Sequence, residues 1–278
     1  MNPGRPFPDA FSSLYRRAHE RPFRVVVTAA LRREIKSLER MLGMRGSAGT
    51  RPGGHSIFTE SMKIFPVVTG IGGVRAQSRL EKALNELDPH VVLSAGFGGG
   101  LTPNLGPGRV ISVVRIGQYT HGGAAPASFH EPSFSVEAWT RQREGVQPGT
   151  VITVDDPIPK RLLSRLSPMV RHPAVVDMET AYLARMCHER GIPFGALRVV
   201  CDEWGFEPEI DLRRILSPDG RVDPGKAVRY AFQDGRRVVR FVRLARRSFI
   251  AARSLALAVH GILHSLDAFL ASQSARST

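Results

Sequence analysis

Apolar residues recur along this chain in two distinct periods. Short β-branched runs without polar alternation mark strands buried on both faces: Arg24–Ala30 (RVVVTAA), Ile64–Thr69, His90–Ala95, Val110–Ile116, Val151–Val154 and Phe194–Val200. Elsewhere apolar positions fall three and four apart, the spacing of a helix face. Leu31, Ile35, Leu38 and Leu42 line one side of a helix predicted over Leu31–Leu42. A second helix is predicted over Val74–Leu87 and stopped by Asp88-Pro89. A third runs from Glu179 to Arg190, after the short strand Val175-Val176, and ends at Gly191-Ile192-Pro193. Gly43–Gly54 reads as a loop, Gly70–Gly73 as a tight turn and residues 117–135 as a long surface loop. Doubly buried strands alternating with amphipathic helices predict an α/β fold with three layers, α/β/α, around a central twisted mixed sheet.

Residues 1–22, rich in Pro and Arg, read as an extension, 23–235 as one α/β domain and 236–278 as a basic helical region. The N-terminus lacks the apolar stretch of a signal peptide. Ser254–Leu263, the longest weakly polar stretch near the other end, is half of the roughly 20 residues a bilayer crossing needs. These features predict a soluble or peripheral, cytoplasmic protein.

Composition changes this picture at two points. Cys187 and Cys201 are the two cysteines, which excludes a disulfide scaffold and fits a reducing compartment. The net charge is +14, from 39 Lys and Arg against 25 Asp and Glu, so anionic partners are favoured: nucleic acid, anionic lipid or anionic substrates. Arg236, Arg240, Arg243 and Arg247 form one helical stripe, with Val238, Val242, Ala245 and Phe249 nearly opposite. The pattern reads first as a terminal helix with a solvated basic face, and second as a peripheral helix on an anionic membrane. Nucleic acid is disfavoured, because the four tyrosines are scattered and no helix-turn-helix or RNA-binding signature is present.

Candidate chemistry begins with Val91–Leu101 (VVLSAGFGGGL), read as a strand entering a glycine-rich loop. Dinucleotide spacing fails there: Gly96 and Gly98 would require a glycine at 101, where Leu101 stands. The glycines still imply close backbone approach to a ligand or a neighbouring element. Asp177 and Glu179 follow a strand, and Asp202 ends the next one. Carboxylates at strand ends can hold a sugar and protonate a leaving group, or merely cap a helix. Cys187-His188 and Cys201 lack metal-ligand spacing, and Ser94 is not in a nucleophile elbow. No metal site is expected.

Three blocks, in order, resemble the nucleoside phosphorylase and nucleosidase superfamily, nearest the branch of methylthioadenosine/S-adenosylhomocysteine nucleosidases. They are Val25–Glu34 (VVVTAALRRE); Asp88–Leu101 with Leu105–Val110 (LGPGRV); and Val176–Glu179 (VDME) continuing through Gly191–Phe194 (GIPF) to Arg198–Asp202 (RVVCD). The resemblance implies a partly barrel-like sheet, a purine nucleoside as small-molecule substrate, and a homo-oligomer. It implies no cofactor, with inorganic phosphate as a co-substrate of the phosphorolytic members. Residue by residue, Glu179 matches the glutamate that binds the ribose hydroxyls and Met178 the methionine beneath the ribose. Asp202 matches the aspartate at purine N7, Arg198 an arginine near the site, and Ile158 the loop that meets the base. Pro157 stands where an aromatic residue is common. Asp177 joins these as a second carboxylate able to hold a sugar.

The nucleophile is read from departures. Hydrolytic members carry a water-activating glutamate in the first loop; without gaps that position is Arg33, and phosphorylases place a phosphate-binding arginine there. Glu34 points elsewhere if the first turn is helical. Ser94 and Phe97 replace the arginine and serine of the phosphorylase glycine block, leaving the backbone N–H groups of Gly98 and Gly99 for an anion. Arg33 tips the balance to phosphorolysis, with a hydrolytic nucleosidase or a non-catalytic, membrane-associated nucleoside-binding protein as alternatives. Finally, Ile215–Tyr230 resembles a turn and helix of hopanoid-associated phosphorylases, which implies a lipid-linked adenosyl substrate.

Overall fold

A computed structural model describes residues 22–42, 57–58, 61–120, 129–136, 146–157, 173–204, 223, 225–226, 229 and 235–277. The strands are β1 (Phe23–Ala29), β2 (Ile57–Phe58), β3 (Met62–Val68), β4 (Val91–Gly100), β5 (Val110–Tyr119), β6 (Phe129–His130), β7 (Val146–Val154), β8 (Ala174–Asp177) and β9 (Phe194–Asp202). The helices are α1 (Arg32–Met41), α2 (Gly73–Leu87), α3 (Thr180–Glu189) and α4 (Gly235–Ser277).

Among the described residues nine strands join one mixed sheet in the order β2-β3-β1-β4-β8-β7-β5-β6, and β9 pairs with both β4 and β5. That double pairing closes β4, β8, β7, β5 and β9 into a ring, while β1, β3 and β2 extend as an open wing. β4 belongs to both parts. It runs parallel to β1 as far as Ser94, then antiparallel to β8 from Gly99, with β9 along its other edge. Between Ser94 and Gly99 one edge of β4 therefore has no strand partner among the described residues.

The two faces carry separate apolar clusters. Val25 and Val27 of β1, Leu93 of β4 and Val199 of β9 pack beneath α1 and α4 through Leu38, Leu255, Val259, Ile262 and Leu266. Val26, Val92, Phe194 and Val200 pack beneath α2 and α3 through Leu80, Leu84, Leu183 and Cys187. This is the three-layer arrangement that the alternating pattern predicts. Both cysteines are buried and free, and burial pushes the Cys187 thiol up to about 12, leaving it inert.

The glycine block departs from expectation. Gly96–Gly100 continue β4 instead of forming a loop. A Cβ at Gly98 would lie 3.2 Å from Val175 Cβ and 3.3 Å from the Val176 carbonyl, and one at Gly100 would lie 3.3 Å from the Leu105 carbonyl. Absent side chains let β8 and the 101–106 segment cross β4 closely, which is one of the two uses the glycines suggested. β5 and β7 are likewise longer than the sequence reading. β5 reaches Tyr119 and pairs with β6, and Phe134 and Val136 are buried, so 117–135 is not simply a surface loop.

α4 needs a second correction. Ala245–Ser272 is long and apolar enough to cross a membrane, with mean hydropathy 1.4 and 44% of its best window buried inside the protein. Arg253 and His264 delimited the shorter stretch read from sequence, but isolated polar residues do not interrupt a helix. Its phase also differs from the stripe. Arg247 is turned inward onto Glu203 at 2.6 Å, while Phe249 is 68% exposed.

Candidate active site

The unpaired edge of β4 is where side chains from several elements converge. Leu31 caps α1, so Glu34 falls in the first helical turn and reaches back to accept the Leu31 N–H at 2.6 Å. Its other oxygen accepts the Phe97 N–H, at 2.8 Å, from the unpaired edge of β4. Glu34 is buried, and burial raises its carboxyl above the ordinary value against the pull of those N–H groups and of Arg33 and Arg198.

Across the pocket Glu179 caps α3 and accepts the Gly72 N–H at 2.8 Å, which ties the 70–73 turn to the site. Burial, with the nearby Asp177 charge, raises its carboxyl to about 8. Asp177 itself is held away from the pocket. It accepts Thr153 Oγ1 at 2.7 Å, the Thr180 N–H and hydroxyl, and Arg198 Nε at 2.8 Å. Arg198 completes this buried frame through Ser94 O, Leu197 O, Ser94 Oγ and Thr180 Oγ1, so all five of its N–H groups are committed inside the protein.

The result is a pocket lined by Thr28, Glu34, Thr69, Phe97, Glu179, Leu183, Arg198 and small neighbours. Of the residues singled out in the sequence, it brings together Glu179, Arg198 and Phe97. Met178 is outside the pocket lining and packs against the cluster around Ile152, Val154 and Ala174. Asp202 is half-buried at the end of β9, outside the pocket wall. Gly98 and Gly99 lie within the ladders to β9 and β8 and do not form an open anion-binding loop. Ile158 lies outside the described residues. Arg33 is exposed, its guanidinium 5.5 Å above the Phe97 ring.

Glu34 is the residue the sequence reading set aside, and the cause is a one-residue boundary. A helix beginning at Leu31 turns Glu34 away; a helix beginning at Arg32 makes it the third helical residue, the position from which a glutamate reaches back to the cap. A carboxylate at that place matches the spacing signal of a capped helix start.

A family model described as the phosphorylase superfamily matches residues 24–213. The chain belongs to the phosphorylase superfamily. Among superfamily members, the 5′-methylthioadenosine/S-adenosylhomocysteine nucleosidase of Bacillus subtilis (strain 168) is 26% identical over 69% of this chain and 91% of its own. The corresponding protein of Shewanella sp. (strain MR-7) is 26% identical over 66% of this chain and 82% of its own. The superfamily fold is seen in the Helicobacter pylori nucleosidase crystal structure, with TM-score 0.61 and 18% identity over 87% of this chain and 98% of that one. Futalosine hydrolase of the same organism aligns equally well, with TM-score 0.61 and 18% identity over 87% and 97%.

Proposed function

We propose that this protein removes the purine base from an adenosine-type nucleoside by hydrolysis. Glu34 activates the water, Glu179 holds the ribose hydroxyls, and Asp202 serves the departing base. The observation that carries this reading is that Glu34 and Glu179 line one pocket, each anchored by backbone N–H groups. Cleavage of an N-glycosidic bond develops positive charge on the sugar, which buried carboxylates stabilise, and requires a base for the nucleophile. A carboxyl raised by burial is a better proton acceptor than an ordinary one. The roles of Glu179 and Asp202 come from the resemblance of the VDME and RVVCD blocks, and the curated relatives are named as nucleosidases.

Arg33 in the sequence favours phosphorolysis, and the donor inventory of the pocket argues against it. Arg198, the cationic residue of the pocket wall, has no N–H left for a phosphate. Arg33 stacks on Phe97 outside the wall.

The test is a panel of adenosine derivatives with and without phosphate. Free sugar and base should form at a rate indifferent to phosphate, and Glu34→Gln should lower that rate by about 10²-fold or more. A sugar 1-phosphate formed only when phosphate is present would make phosphate the nucleophile, with Arg33 as its holder.

A lipid-linked 5′ substituent is proposed on the resemblance of Ile215–Tyr230, most of which lies outside the described residues. What supports it physically is a membrane-compatible face on α4. Phe249, Ile250 and Leu257 are exposed there beside exposed Arg246 and Arg253.

A further inference from the structure

β1 reads Val25-Val26-Val27 and then Thr28. All four side chains are buried, and Thr28 is 0% exposed. Thr28 stands at the end of the strand, in register with Ser94 of β4, on the face that Val26 shares with α2 and α3. It lines the pocket with Glu34 and Glu179. Every other polar side chain of that wall has a partner. Glu34 and Glu179 accept backbone N–H groups, Thr69 donates to Ala29 O, and Ser94 pairs with Arg198. Thr28 Oγ1 is buried and has none.

A buried hydroxyl without a partner destabilises the fold, and the isosteric valine used at the three preceding positions would avoid that cost. Thr28 instead belongs to the wall of a pocket that Glu34 also lines. We infer that Thr28 is the second holder of the nucleophilic water, a role that rests on the hydrolytic reading above. One hydrogen of the water is given to Glu34 and the other to Thr28 Oγ1, so a lone pair is left facing the anomeric carbon of the bound nucleoside. As the new C–O bond forms, the C–N bond to the base breaks and its electron pair leaves with the base. The water proton passes to Glu34, and the base takes up a proton on the Asp202 side, so the sum is one water consumed. Two fixed acceptors orient the water where one alone would leave it free to rotate.

The experiment compares wild type, Thr28→Val and Thr28→Ser on the adenosine derivative that wild type turns over best. Thr28→Val should lower kcat about tenfold to a hundredfold, the scale of losing one oriented hydrogen bond. Its KM for the nucleoside should stay within about twofold and its melting temperature should not fall, since no contact of the folded protein is removed. Thr28→Ser keeps the hydroxyl and should retain most of the activity. Wild-type turnover in Thr28→Val, or equal losses in both variants, would overturn the water-holding role while leaving hydrolysis intact. Absence of base release by wild type would instead overturn the hydrolytic reading, and this role with it.

Discussion

Arg198 and Asp177 are a buried pair of opposite charges that frames the pocket. Their side chains are 3% and 1% exposed and 2.8 Å apart. Together they bind β7, β4 and the start of α3 through Thr153, Ser94 and Thr180. Removing one partner leaves the other charge buried and uncompensated, so Arg198→Met should destabilise the protein by about 3–5 kcal/mol. The double variant Asp177→Asn/Arg198→Met should recover part of that loss, because no lone charge remains. Thermal or urea unfolding of the single and double variants checks this; additive losses would show that the two residues act separately. At this scale the sequence was legible where residue types recur in fixed order, as with Glu179 and Arg198. It was illegible where a side chain's place turned on rotation by one residue, as with Glu34.

The helices and strands were legible through periodicity, and their limits were not. β4 runs on through five residues that local rules assign to a loop, because a crossing strand and not intrinsic preference decides the conformation of Gly96–Gly100. α4 illustrates the same limit. Its charge stripe and apolar stripe were both visible, but which one faces the core is set by packing on β9 and α1. Arg247 is drawn inward by Glu203, and Phe249 is left in solvent. This outward face carries both apolar and arginine side chains, the composition of a helix lying on an anionic surface. Each arginine near such a surface contributes about 1 kcal/mol. The protein should therefore sediment with anionic liposomes at low salt and not with neutral ones. Replacing Phe249 and Leu257 by Ser, and Arg246 and Arg253 by Gln, should abolish this without altering turnover of a soluble nucleoside. Indifference of wild type to anionic liposomes would remove the physical support for a lipid-linked substrate.

Over the whole molecule, the layered α/β architecture follows from the alternation of buried strands and amphipathic helices. The ring of strands does not, since β9 joins β4 to β5 across about a hundred residues of chain, a pairing no local pattern encodes. Closing that ring around buried carboxylates makes global stability depend on pH. Glu179 has a folded value of about 8 against an ordinary 4.5, so the folded state binds the extra proton between those values. Its contribution is present at low pH and is lost as pH rises through that window. Unfolding free energy should fall between pH 5 and pH 8, and Glu179→Gln should flatten the slope. A variant with the wild-type slope would place the linked proton elsewhere.

The break in pairing along β4 has one more consequence. Because strand neighbours change between Ser94 and Gly99, the Phe97 N–H is available to fix Glu34, and this anchor belongs to the main chain. Side-chain replacement at 97 leaves it in place, proline alone excepted. Position 97 is thereby free to vary chemically, and an aromatic ring can stand where other superfamily members display a hydroxyl. Glu34 keeps its address while the wall beside it is redecorated.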